Sequence, residues 1–139
     1  MYQARIAASD ILGEAHETAD YRALPRVTFT DPQIGAAGLT EAQARAKGLM
    51  VRTAVSPIPS SARGWIHGPG NDGFIKLIAD AEAGVLAGAT SAGPAGGEVL
   101  GALAVAVHAR VPLDVLGRMI YAYPTFHRAI EDAVARRSC

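Results

Sequence analysis

Tyr2, Ile6, Ala7 and Ile11 recur at near-helical spacing through a polar background, and Gly13 follows as a stop, so a short helix is predicted over Tyr2 to Leu12. The polar stretch Glu14 to Arg22 then reads as a linker. Beyond Pro25 the pattern becomes extended. Arg26-Val27-Thr28-Phe29 is rich in β-formers, Asp31-Pro32 marks a turn, and Ile34 to Leu39 resumes an extended run of small residues. Thr40-Glu41-Ala42-Gln43 pairs a hydroxyl cap with a glutamine three places later, a capping box that opens a helix ended by Gly48. Leu49 to Val55 is predicted as the next strand.

From Pro57 to Gly70 the prolines and glycines predict a long irregular segment, closed by the turn signal Asn71-Asp72-Gly73. A loop of that length in a small domain is more often functional than accidental. Phe74 to Ala79 and Val85 to Thr90, joined by a turn over Asp80 to Gly84, form the most secure hairpin. Ala95 to Ala109 is helix-forming and carries only Glu98 and His108 as polar side chains, so it is expected to be buried on all sides. Its glycines and alanines would let another backbone approach closely, including one from a second subunit. Pro112 suits the first turn of a short helix through Met119, and Thr125 opens the last helix. Strands in consecutive hairpins with helices toward the end predict an α+β domain, an antiparallel β-sheet packed with α-helices.

A length of 139 residues suits a single domain with a real core. Lys and Arg number 13 against 13 Asp and Glu, so no single-sign field points to nucleic acid or an anionic membrane. Small-molecule or protein partners are favoured instead. The only cysteine, Cys139, excludes an internal disulfide and a cysteine metal cluster within one chain, which suits a reducing, cytoplasmic setting. No signal-peptide pattern opens the chain, and the apolar run Val99 to Val107 is far shorter than the ~20 residues needed to cross a bilayer.

The known chemical motifs are missing. There is no G-x-G-x-x-G after a strand, no Walker loop, no C-x-x-C, H-E-x-x-H or G-x-S-x-G. His16, His67, His108 and His127 lie far apart without ligand spacing, so no metal site is expected. Arg63 and Trp65, in the irregular segment, are interface candidates, although a loop tryptophan also commonly closes over its own core. Cys139 reads as a terminal thiol open to oxidation, not as a tuned nucleophile.

Several stretches taken in order carry a resemblance. They are Pro25-Arg26-Val27-Thr28-Phe29-Thr30-Asp31-Pro32-Gln33-Ile34, then Gly38-Leu39-Thr40-Glu41 and Ala44, then Gly73 to Ala79, Gly84 to Ala89 with Glu98, and Tyr123-Pro124-Thr125. Together they resemble the C-terminal dimerisation domain of the FAD-dependent pyridine nucleotide-disulfide oxidoreductases, the family of the dihydrolipoamide, glutathione and mercuric reductases. The likeness covers about residues 22 to 134. The segment 1–20 resembles the helix left from the preceding flavin-binding domain with its linker, and 21–139 the dimerisation domain. The chain is thus expected to be a piece of a longer enzyme, or a gene product shortened to that piece.

The resemblance implies a homodimer in which one loop, usually His-Pro-Thr followed by a glutamate, reaches the partner subunit's active site. There the histidine, oriented by the glutamate, is the acid and base for the substrate-facing thiol. At those positions this chain has Tyr123 and Arg128. A phenol with an ordinary pKa near ~10 is a poor neutral-pH base, and an arginine accepts no hydrogen bond. His127 is the weaker substitute, expected on a different helical face. Arg128 also puts a cation in the first helical turn, at ~0.3 to 1 kcal/mol before any pairing with Asp132 at i+4. A packing reading stands beside the chemical one, with Thr125 as cap and Phe126, Ala129, Ile130, Ala133 and Val134 as the buried stripe.

FAD and NAD(P)H belong, by resemblance, to upstream domains of the parent; no cofactor is expected on this chain, and alone it should be inert. Two alternatives stay open. One is a freestanding dimeric binding or scaffold protein. The other is the C-terminal part of a mercuric reductase-like enzyme, a family that also carries tyrosine at the histidine position, with its adjacent cysteine pair here reduced to Ser138-Cys139.

Overall fold

The computed structural model describes residues 1–136. The strands are β1 (Arg26–Thr28), β2 (Gln33–Gly38), β3 (Val51–Pro57), β4 (Phe74–Asp80) and β5 (Val85–Gly93). They form one sheet of 5 strands in the order β1-β2-β5-β4-β3, antiparallel at every junction. The helices are α1 (Tyr2–Leu12), α2 (Glu41–Ala46), α3 (Ala62–His67), α4 (Gly96–His108), α5 (Leu113–Arg118) and α6 (Ala129–Arg136). The α+β class read from the sequence is the one found.

Its topology departs from consecutive hairpins. β2 pairs with β5, from Gln33↔Gly93 to Gly38↔Gly88, while α2 carries the chain across to the far edge at β3. Small residues permit this. A Cβ at Gly35 would sit 3.0 Å from Leu100 Cδ2, so the bare backbone there is what lets α4 lie on the sheet. Gly88 leaves room for the backbone of Leu39. The capping box of α2 is formed as read, with Gln43 N donating to Thr40 Oγ1 at 3.2 Å and Thr40 N donating to Gln43 Oε1 at 2.9 Å. Glu41 then bridges Lys76 of β4 and Arg45, each at 3.0 Å, and those two cations hold its carboxyl below the usual range.

One face of the sheet carries α4 and α6, and α5 packs on α6. The core between them is centred on Ile75, Leu86, Val99, Leu103 and Ile130, each fully buried. Such side chains contribute roughly 1.5 to 3 kcal/mol apiece through removal of apolar surface from water. On the opposite face α2 reaches Lys76 through Glu41, while Ile34 and Phe74, which flank Ala92 in register, and Val55, paired with Lys76, remain exposed.

Three expectations need correction. The segment after Pro57 is not irregular throughout: it holds a 3-10 turn over Ile58–Ser60 and then α3. Ser61 Oγ accepts from Gly64 N at 3.0 Å and starts the helix, while the prolines and glycines that read as breakers stand at its two ends. Second, α4 is not buried on all sides. It buries Val99, Leu100, Leu103, Ala106 and Val107 but leaves Gly101, Ala102 and Val105 open, because a sheet covers only one side of a helix. Third, Arg128 pairs not with Asp132 but with Glu131, Nη1 to Oε2 at 2.9 Å. The last helix is entered through a 3-10 turn over Phe126–Arg128, which brings i+3 closer than i+4.

No residue of α1 is buried. Tyr2 meets Tyr21 edge-on at 6.2 Å and its hydroxyl accepts from Asp20 N at 2.8 Å, so α1 is tied to its own linker and not to the core.

Candidate functional site: the Tyr123 loop and the open face beside it

Tyr121 anchors the start of the loop. Its ring is buried and its hydroxyl donates to Leu116 O at 2.9 Å. Burial, and secondarily the Glu131 carboxylate, pushes this phenol up to about 12. Because the folded value lies above the ordinary 10.0, the group stabilises the fold fully below pH 10, and that contribution is lost as pH rises toward 12. Urea midpoints measured from pH 9 to 12 should therefore fall more steeply in the parent chain than in Tyr121→Phe, whose neutral-pH loss is about 1 kcal/mol from the missing hydrogen bond. Identical alkaline slopes would rule this out.

Next comes a cis Tyr123–Pro124 bond. Thr125 closes the turn from both sides, donating from Oγ1 to Ala122 O at 2.7 Å and accepting from Arg128 N at 3.3 Å. The cap read from the sequence is real, and Ala129, Ile130, Ala133 and Val134 form the buried stripe of α6. Phe126 is only partly buried. It is held from outside by α3, with the Arg63 guanidinium 5.6 Å from its ring centre and the His67 ring edge-on at 5.7 Å.

Tyr123 projects outward, 68% exposed, with the Arg128 guanidinium 5.6 Å from its ring centre. The structure thus brings Tyr123 and Arg128 together as a cation over an aromatic face, backed by Glu131 on the far side of the guanidinium. Among the described residues no side-chain hydrogen bond joins His127 to either of them, and it lies half-buried in the 3-10 turn. Chemically the pair offers a phenol donor and a fixed positive charge, but no proton acceptor of imidazole type. Glu131 and His67 were missed in the sequence. Glu131 could have been found from the i,i+3 spacing to Arg128, whereas nothing local links His67 to Phe126.

Beside the loop lies an apolar trough of about 350 Å³, walled by Ala102 and Val105 of α4, Val115 of α5, Met119 and Tyr121. Val105 in its lining is 66% exposed, and Ile120, between Met119 and Tyr121 in the chain, is 97% exposed. Trp65 on α3 is 80% exposed and so does not close over the core of its own chain. Cys139 lies outside the described residues. Among the described residues no three His, Cys, Asp or Glu side chains gather as metal ligands, and no helix is long and apolar enough to cross a membrane. Every junction of the sheet is antiparallel, so the described residues hold no parallel βαβ unit.

Comparison with known proteins agrees with this geometry. Residues 24–134 match the family described as "Pyridine nucleotide-disulphide oxidoreductase, dimerisation domain". Dihydrolipoyl dehydrogenase of Halobacterium salinarum is 36% identical over 131 residues, which are 94% of this chain and 27% of that protein. The crystal structure of LpdA from Mycobacterium tuberculosis superposes with a TM-score of 0.84 at 29% identity, over 96% of this chain and 29% of that one. The HOCl-induced flavoprotein disulfide reductase RclA of Escherichia coli shares the fold, with a TM-score of 0.83 at 24% identity, over 94% of this chain and 30% of that one. The chain therefore spans little more than a quarter of such relatives. With its α+β sheet, its order of elements and its aligned sequence in agreement, this chain belongs to the dimerisation-domain family of the pyridine nucleotide-disulfide oxidoreductases.

Proposed function

We propose that the chain is the homodimerising module of a cytoplasmic FAD- and NAD(P)H-dependent oxidoreductase, and that by itself it performs no redox turnover. The observation that carries the reading is the apolar trough and exposed rim of α4 and α5, contiguous through Tyr121 with the loop that family members present to a partner subunit. An unburied apolar strip on a core helix is what a second copy would cover. In this reading α1 and the linker, segment 1–20, rest on an upstream flavin-binding domain, as does the open sheet face around Ile34, Val55 and Phe74. The lack of any buried residue in α1 supports that. FAD and NAD(P)H sit upstream, and no step of their chemistry is assigned to these residues.

At the loop, Tyr123 and Arg128 replace the histidine and glutamate dyad. Tyr123 contributes a hydrogen-bond donor and an aromatic face held by Arg128, not a neutral-pH base, and His127 takes no part. The parent is accordingly expected to act on an acceptor that needs no thiol deprotonation at this position. The purified chain supplied with FAD and NAD(P)H should sediment as a dimer, retain no flavin and oxidise no nicotinamide. Retained flavin with nicotinamide turnover would overturn the inert-module reading, and a monomer would remove the dimer from it.

A further inference from the structure

At the end of β4 and β5 opposite the Phe126 contact lies a second cavity, of about 210 Å³, that the reading above does not use. Its apolar lining is Leu39, Leu49 and Ala87, all half-buried, with Leu86 and Val107 nearly inaccessible, and its charged lining includes Arg22, Lys47 and Arg110. Arg22 is neutralised by Asp20 at 2.8 Å. Asp80, on the wall, has Oδ1 engaged by the backbone N–H groups of Glu82 at 3.1 Å and Ala83 at 3.2 Å. Lys47 and Arg110 form no ion pair among the described residues. The walls are locked to one another: Leu113 N donates to Gly84 O at 2.9 Å, and Val85 bridges to Pro112, tying the hairpin turn to the end of α4.

Arg110 is the informative residue. It has φ of 50°, the one described non-glycine residue in the left-handed region. It follows the C-cap Ala109, and Val111 N donates back to Ala106 O at 2.9 Å, which closes α4 in the motif where glycine is the unstrained choice. An arginine here carries a conformational cost that glycine would not. What it adds is a cationic residue in the lining of the cavity. A local rule broken by a residue that lines a cavity is the pattern expected of a binding residue.

We infer that the cavity between the β4–β5 turn and the end of α4 binds a small monocarboxylate, its carboxylate held by Arg110 and Lys47 and its short hydrocarbon chain lying on Leu39, Leu49 and Ala87. The charge and the apolar floor are both required, so a bare anion or a neutral chain satisfies only half of the site.

Hexanoate titrated into the isotopically labelled full chain at neutral pH tests this by amide chemical shifts. Saturable shifts confined to Leu39, Leu49, Ala87 and Arg110 are expected, with a dissociation constant of about 1 to 10 mM. Arg110→Gly should weaken binding at least tenfold while raising the urea midpoint, because glycine suits that backbone; Lys47→Gln should weaken it as well without altering the fold. Equal binding of hexanamide, equal binding of inorganic phosphate, or unchanged affinity in Arg110→Gly would each overturn the assignment.

Discussion

A chain carrying Val105→Asp and Ile120→Asp is expected to sediment as a monomer at concentrations where the parent chain is a dimer, with association weakened at least 100-fold. That factor corresponds to about 2.7 kcal/mol, a modest demand on two carboxylates placed in an apolar interface. Ile120 is almost fully exposed and Val105 largely so; Val105 lines the trough beside the Tyr123 loop, and Ile120 stands in the chain between its lining residues Met119 and Tyr121. Burying either carboxylate against a second copy without a partner would cost several kcal/mol. Since neither side chain contributes to the core of its own chain, circular dichroism and urea midpoint should remain those of the parent. An undiminished dimer would place the interface elsewhere on the molecule.

Gly88→Ala should cost about 3 kcal/mol or more and leave much of the chain unfolded, the overpacking penalty at its upper end. Its Cβ would fall on the backbone of Leu39, 2.8 Å from the amide nitrogen and closer still to the carbonyl oxygen. Backbone cannot rotate away as a side chain can. Relief would require β2 to leave β5, along the ladder that runs from Gln33↔Gly93 to Gly38↔Gly88 and positions α4 above it. A domain of this size has only about 5 to 15 kcal/mol in total to lose. Gly101→Ala is the control: nothing lies within 4 Å of its Cβ, and alanine in mid-helix is worth about 0.5 to 1 kcal/mol over glycine, so that change should stabilise. Equal urea midpoints for the two variants would disprove the steric account.

The legible part of the sequence was the part governed by neighbours in the chain. The capping box at Thr40, the hairpin of β4 and β5, the Gly13 stop of α1 and the Thr125 cap all depend on residues within a turn or two of one another, and all are formed where expected. β5 runs to Gly93, three residues beyond the predicted Thr90, because β2 supplies partners for Ser91, Ala92 and Gly93 that no local pattern announces. α3 was hidden for the converse reason: its breakers are conspicuous and its single Ser61 cap is not.

The candidate site divides in the same way. That Tyr123 and Arg128 stand where the resemblance would put a histidine and a glutamate is an expectation of the sequence, made without coordinates. Their contact, and the choice of Glu131 over Asp132 as the anchor of Arg128, depended on the 3-10 entry to α6, which alters the spacing of side chains by a fraction of a turn. The stacking of Arg63 and His67 on Phe126 depended on α3 being a helix at all.

By itself, then, the sequence determined the class of fold, the local caps and turns and the family likeness, since each rests on residue identity and short-range hydrogen bonding. Tertiary structure alone decided that β2 lies beside β5, that α4 keeps an open apolar strip, and that Arg110 lines a cavity at the far end of the sheet. Those outcomes come from steric room at Gly35 and Gly88 and from which faces the other elements cover, quantities that exist only once distant segments are packed together.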